Sequence, residues 1–175
     1  MKENYIIAAF RKTVAQRFPE QGAELNRLLN EKLSRLRSMH LNASKEKQFH
    51  LESQILPGIA AYETLQTVMP KDEALQTVHG YVAEHAQTMR KTILKLLKVP
   101  GLYHLPPVVF SKLTPKFYGE TAGFAATEYQ TSGGVWRIDM TKCPYHDASV
   151  HYGCPELCHC FCDSDDITYD GLHPK

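Results

Sequence analysis

The chain has 175 residues, of which 43% are hydrophobic and 22% charged, and its formal net charge is +1. This composition is typical of one globular domain with a sizeable core, and it excludes disordered and fibrous proteins. The near-neutral charge argues against a nucleic-acid binder, and no apolar run approaches the roughly 20 residues that span a bilayer. The first 18 residues lack the continuous apolar core of a signal peptide. We therefore expect a cytoplasmic protein without nucleic-acid or membrane partners.

Residues 1–99 are predicted to form a helical lobe, because apolar residues recur there at the spacing of amphipathic helices. The four helices are expected over residues 4–18, 21–40, 44–69 and 71–98. Ser44 suits the N-cap of the third helix, and Pro57-Gly58 predicts a kink or a split inside it. The second helix is rich in leucine, which suits a homo-oligomer interface as well as a monomer core. One apolar stripe is expected on the fourth helix: Leu75, Val78, Val82, His85, Met89, Ile93 and Leu96.

Residues 100–175 are predicted to form an α+β lobe of the same domain. Pro100-Gly101 and Pro106-Pro107 interrupt the helical pattern and mark the boundary between the lobes. Two strands are then expected over 124–130 and 135–141, joined by a turn at 131–134. Helices followed by strands indicate the α+β class with an antiparallel sheet, rather than alternating βαβ units.

All five cysteines lie within a 20-residue window near the end of this lobe. Cys143-Pro144 follows the second strand and predicts a helix that begins there and ends at Gly153. Cys154-Pro155 repeats the pattern and predicts a second helix from about Leu157 onwards. The two helices would form a cysteine-rich hairpin.

The predicted second helix places Cys154, Cys158 and Cys162 on one face and directs Cys160 the other way. A strand would instead place Cys158, Cys160 and Cys162 on one face; the proline and the acidic first turn favour the helix. The odd number of cysteines and their crowding argue against a secreted disulfide framework.

Three interpretations of the cysteines are open. A thiolate at a helix N-terminus is stabilised by unpaired N–H groups and the helix dipole, and Cys143 and Cys154 both occupy such positions, which favours a reactive thiol. A structural zinc would need four ligands, and no second pair of cysteines completes that pattern. Free cysteines are also frequently plain buried packing residues.

The C-terminal segment resembles the L-2-amino-thiazoline-4-carboxylic acid hydrolase family. The resemblance rests on a strand leading into Cys143-Pro144-Tyr145, then Gly153, Pro155-Glu156-Leu157-Cys158, Phe161-Cys162 and Asp165. The extra cysteines Cys154 and Cys160 are not part of the pattern. Chains of the family are expected to continue into a further strand beyond the position of Pro174.

The resemblance implies a hydrolase that acts on a small cyclic isothiourea. Water adds at the ring carbon between sulfur and nitrogen, and the carbon–sulfur bond opens to give N-carbamoyl-L-cysteine. Cys143 is the predicted nucleophile, and Cys158 or Cys162 is the second thiol. Glu156 or Asp165 would protonate the leaving group or activate water.

Two other schemes are weighed against a nucleophilic thiol. The sequence predicts no organic cofactor. In the first scheme, a divalent metal such as zinc, held by Cys143, Cys158 and Cys162, activates water. In the other, the protein is not an enzyme but a sensor or partner module that uses the cysteine pocket to hold a small ligand or a metal.

Overall fold

The computed structural model describes residues 3–99, 113–129 and 137–172. The predicted lobe boundary at residues 100–107 and the turn at 131–134 lie outside this part of the chain, as do Val135 and Trp136. The division into lobes 1–99 and 100–175 therefore stays a prediction.

The predicted N-terminal helices are present. Their bounds are α1 (Tyr5–Arg17), α2 (Gly22–Ser38), α3 (Lys45–His50), α4 (Leu56–Leu65) and α5 (Lys71–Leu96). Asn4 is the N-cap of α1, and its side chain accepts hydrogen bonds from two backbone N–H groups of the first turn. Ser44 caps α3 as predicted, accepting from the N–H of Lys47.

The irregularity expected at Pro57-Gly58 lies just before it, as a π-helical turn over Leu51–Ile55 that joins α3 to α4. Pro57 has no N–H, so the carbonyl of Ser53 cannot receive the usual helical hydrogen bond from it. The side-chain amide of Asn4 donates to this carbonyl at 2.8 Å and to that of Glu52 at 3.1 Å. The wider turn and the amide from α1 together satisfy the backbone around the proline.

The apolar stripe predicted on α5 is buried only along its first half. Val78 and Val82 are buried, whereas Met89 and Leu96 are 41% and 51% exposed. The reason is that the C-terminal helix, Leu157–Tyr169, packs along α5 only as far as Arg90. The guanidinium of Arg90 donates at 2.6 Å to the carbonyl of Asp170, which follows this helix directly. In the described part of the chain, only the first half of the stripe therefore contributes to the core.

Two antiparallel strands precede the cysteine segment: β1 (Ala125–Tyr129) and β2 (Arg137–Lys142). Thr127 pairs with Asp139, and a register shift lies between Ala125 and Ala126. This small sheet, following the helices in the chain, confirms the α+β class.

The last helices form the predicted hairpin. Residues 113–117 form the short helix α6, and the hairpin consists of α7 (Pro144–His151) and α8 (Leu157–Tyr169). α8 packs along α5, and Leu157, Cys160 and Phe161 join the same hydrophobic core as α1, α2, α4 and α5. None of the described helices is long and apolar enough to cross a membrane.

Candidate functional site

Cys143 stands where β2 meets α7. Its backbone is extended, Pro144 occupies the first turn of the helix, and the N–H of Asp147 donates to the Cys143 carbonyl at 3.0 Å. The Cys143 thiol makes no capping hydrogen bond and is half-buried. The predicted N-cap is thus confirmed, with its thiol left available at the helix N-terminus.

Cys158 and Cys162 are one turn apart on α8, and their Sγ atoms are 4.0 Å apart. Cys158 is 9% exposed, whereas Cys162 is exposed. Burial raises the pKa of Cys158 to about 12 and also raises the pKa of Cys162. Both side chains are therefore protonated thiols at neutral pH.

One cleft of about 640 Å³ brings four of the five predicted site residues together. Its lining includes Cys143, Glu156, Cys158 and Cys162. Lys142, His146, Asp147 and His159 also line it. The sequence analysis did not predict Lys142 as a site residue. Its position at the end of β2, directly before Cys143, could have indicated that it lies near the thiol.

Glu156 is held by two partners at the edge of this cleft. Its Oε1 accepts from the Tyr62 hydroxyl at 2.6 Å and lies 2.9 Å from the ammonium of Lys71. Burial opposes ionisation, but the hydrogen bonds from Tyr62 and Lys71 outweigh it, so the Glu156 pKa is lowered. Glu156 is therefore a carboxylate at neutral pH and cannot serve there as a proton donor.

Cys154 departs from the prediction. The turn at Pro155-Glu156 precedes α8, which begins only at Leu157, so Cys154 is neither a helix N-cap nor part of the helix face with Cys158. It is 3% exposed, and burial raises its pKa to about 11. The expectation of a stabilised thiolate at Cys154 is wrong, because desolvation dominates at this position.

Cys160 points away from the other thiols, as the helical pattern predicts. It is 3% exposed within the core, and burial raises its pKa to about 12. This thiol packs as a small apolar side chain.

Asp165 lies in a different cleft, of about 810 Å³, which shares no lining residue with the cysteine cleft. His50, Tyr118 and Tyr145 are among its neighbours there. Burial raises the pKa of Asp165, with the negative charge of Asp166 adding to the shift. Asp165 therefore opens onto a different cleft from the thiols, and its catalytic role stays a prediction.

His50 is a buried titratable residue that sequence reasoning did not connect with any site. Its Nε2 lies 2.6 Å from the carbonyl of Phe117, which requires an N–H there, so Nδ1 accepts from the Tyr145 hydroxyl at 3.0 Å. Burial lowers the His50 pKa, although the Phe117 carbonyl opposes the shift. His50 and Tyr145 are 95 positions apart, and no motif or periodicity links them.

No cluster of three or more His, Cys, Asp or Glu side chains within the described ranges could hold a metal ion. The zinc set Cys143, Cys158 and Cys162 is consequently not assembled in this conformation and stays a hypothesis.

The comparisons with known proteins agree with the C-terminal motif. The model of the L-2-amino-thiazoline-4-carboxylic acid hydrolase family matches residues 48–175. The chain belongs to this family. The part matched to the L-2-amino-thiazoline-4-carboxylic acid hydrolase family contains the entire cysteine cleft, together with His50 and Asp165. Searches of curated proteins and of solved structures gave no significant match.

Proposed function

We propose that this protein is a hydrolase that opens a small cyclic isothiourea such as L-2-amino-thiazoline-4-carboxylate, giving N-carbamoyl-L-cysteine. The observation that carries the proposal is the cleft shared by Cys143, Cys158 and Cys162, in a chain of this family. An amidine-like ring carbon is an electrophile that a thiolate at a helix N-terminus can attack.

Cys143 is the proposed nucleophile. Its sulfur forms a bond to the ring carbon, the ring carbon–sulfur bond breaks, and the departing ring sulfur takes up a proton. Water then attacks the same carbon and displaces Cys143, so that one water molecule is consumed and the product is a urea with a free thiol.

The protonation states of the neighbouring groups support a division of roles. Cys162 is exposed and is a protonated thiol at neutral pH, so it can donate a proton to the departing sulfur. The Glu156 carboxylate can accept a proton from the attacking water. The ammonium of Lys142, in the same cleft, would bind the substrate carboxylate.

The test is thiol release from L-2-amino-thiazoline-4-carboxylate over time. We expect Cys143→Ala to abolish turnover and Cys162→Ala to reduce it, while Cys160→Ala, a matched removal of a thiol buried away from the cleft, retains it. Full activity in both Cys143→Ala and Cys162→Ala would overturn the proposed mechanism.

The rival is a binding module without turnover. Its support is the 4.0 Å contact between Cys158 and Cys162, which offers two sulfur ligands to one thiophilic ion such as zinc. Stoichiometric zinc in protein purified without added ions, together with no thiol release, would favour this rival. Turnover that persists after chelation would favour the nucleophilic thiol.

A further inference from the structure

The aromatic cleft beside α8 is a space in the described part of the chain that the proposed chemistry does not use. It has a volume of about 810 Å³ and lies between α1, the π-helical turn, α5 and α8. Five tyrosine or phenylalanine rings contribute to its lining: Tyr5, Phe49, Tyr118, Tyr145 and Tyr169. A cavity of this size whose exposed surface is mainly apolar, with polar groups among its lining, is typical of a small-molecule site.

Several of these rings are open to solvent. Phe49 is 55% exposed and Tyr118 is 40% exposed, although both belong to a connected set of rings around His50. Ring contacts hold this set in place: Phe49 meets Phe117 with centroids 5.3 Å apart, and Tyr118 meets Phe124 at the same distance. The cleft therefore presents fixed aromatic surface to a ligand.

The side chains of formal charge in this cleft are carboxylates, and its imidazoles are those of His50 and His85, the latter stacked on Tyr5 with ring centroids 3.9 Å apart. Asp165 and Glu3 line it, and no lysine or arginine does so within the described part of the chain. Glu3 is paired with Arg11, whereas Asp165 has neither an ion pair nor a hydrogen bond with another described side chain. His50 adds no positive charge, because its Nε2–H and Nδ1 are both used in hydrogen bonds that fix the neutral ring.

We propose that this aromatic cleft binds a small planar organic cation, an amidinium or a guanidinium, with Asp165 as its counter-ion. The two oxygens of a carboxylate match the paired N–H donors of such a group. The faces of Phe49 and Tyr118 attract a delocalised, weakly hydrated cation that lies against them. A planar cation satisfies both features at once. This proposal does not rest on the proposed hydrolase activity.

The experiment is calorimetric titration of the full chain with benzamidine and, separately, with benzamide, its neutral analogue of nearly the same shape. We expect benzamidine to bind about tenfold more tightly than benzamide, because only the cation pairs with Asp165. Equal affinities, or no detectable binding of benzamidine, would overturn the proposal.

Variants then locate the site. Asp165→Asn should weaken benzamidine binding about tenfold, while Asp170→Asn, the same charge change at the end of the same helix but outside the cleft, should leave the affinity unchanged. Phe49→Leu, which keeps an apolar side chain but removes the ring face, should weaken binding severalfold. An unchanged affinity in Asp165→Asn would refute the site. Because the readout is binding and not thiol release, its failure leaves the hydrolase proposal standing.

Discussion

The side-chain amide of Asn4 donates a hydrogen bond of 2.8 Å to the carbonyl oxygen of Ser53. The carboxamide oxygen of the same residue accepts from the N–H of Ile6 at 2.9 Å. One side chain thus caps α1 and also satisfies the backbone four residues before Pro57. The start of the first helix and the interrupted third helix are therefore stabilised together.

Two substitutions separate these roles. Asn4→Asp keeps an acceptor for the α1 cap but removes the donor and places a negative charge beside two carbonyls, so we expect a loss of about 1–3 kcal/mol in the free energy of unfolding. Asn4→Ala loses the cap as well and should be less stable than Asn4→Asp by about 1 kcal/mol. Urea unfolding measures both. Wild-type stability in Asn4→Asp would show that the bond to Ser53 contributes nothing.

Gly58 of α4 packs directly against the ring of Phe161 on α8. A Cβ at this position would lie 2.7 Å from Cζ of Phe161, whereas a Cβ on Gly80, in the middle of α5, would meet nothing within 4 Å. We expect Gly58→Ala to destabilise the protein by about 1–3 kcal/mol, because the core must move. Gly80→Ala should stabilise it by about 0.5–1 kcal/mol through backbone entropy. Thermal unfolding of the pair tests this, and equal shifts would contradict the close packing.

The carboxylate of Glu156 makes stability depend on pH. Its folded-state pKa is below the usual 4.5, so the stabilising contribution is present above about that pH and is lost as the pH falls through the lower, folded-state value. We expect Glu156→Gln to lower the free energy of unfolding by about 1 kcal/mol at pH 7, with the difference shrinking in acid.

Tyr62→Phe is the matched control for Glu156, because it removes the donor at 2.6 Å and leaves the carboxylate. If the two groups stabilise each other, the double variant should lose less than the sum of the single losses. Strict additivity in urea unfolding would show that the two groups act independently.

His50 should make the protein sensitive to mild acid. Burial holds its folded-state pKa below the usual 6.5, so the unfolded chain binds the proton more readily. Stability is fully present above about pH 6.5 and is lost as the pH falls below it, at up to about 1.4 kcal/mol per pH unit. His50→Gln keeps an N–H donor but cannot titrate. The free energy of unfolding of this variant, measured with urea, should therefore depend less on pH between 7.5 and 5.5 than that of the wild type.

Burial also lowers the pKa of His40. His40→Gln is therefore the control variant, because it removes the titration of a different histidine and leaves His50 in place. An identical pH dependence in wild type and His50→Gln would contradict the buried neutral state of His50.

The helices and the cysteine hairpin were predictable because their signals are local. Ser44, Pro144 and Gly153 act on backbone within a few residues, and Gly153 adopts the positive φ of 73° that ends α7. Cys158 and Cys162 met as expected because four residues make one helical turn.

The rest of the candidate site depends on contacts between distant parts of the chain. Glu156 was predicted as a catalytic acid, but its partners Tyr62 and Lys71 come from α4 and α5, more than 80 positions away. Cys154 fits a cap pattern in the sequence, yet its burial against the helical core reverses the expected pKa shift. Such environments arise only when the helices pack, so no spacing in the sequence reveals them.

The packing of α4 also has a consequence during synthesis on the ribosome. Every residue of α4 except Glu63 is buried, and part of its cover, Leu157 and Phe161 of α8, is translated about 100 codons later. Until those residues emerge, the apolar surface of α4 that they cover stays open to solvent in the nascent chain. Slowed elongation between α5 and α8 should therefore lengthen its exposure to chaperones and to aggregation.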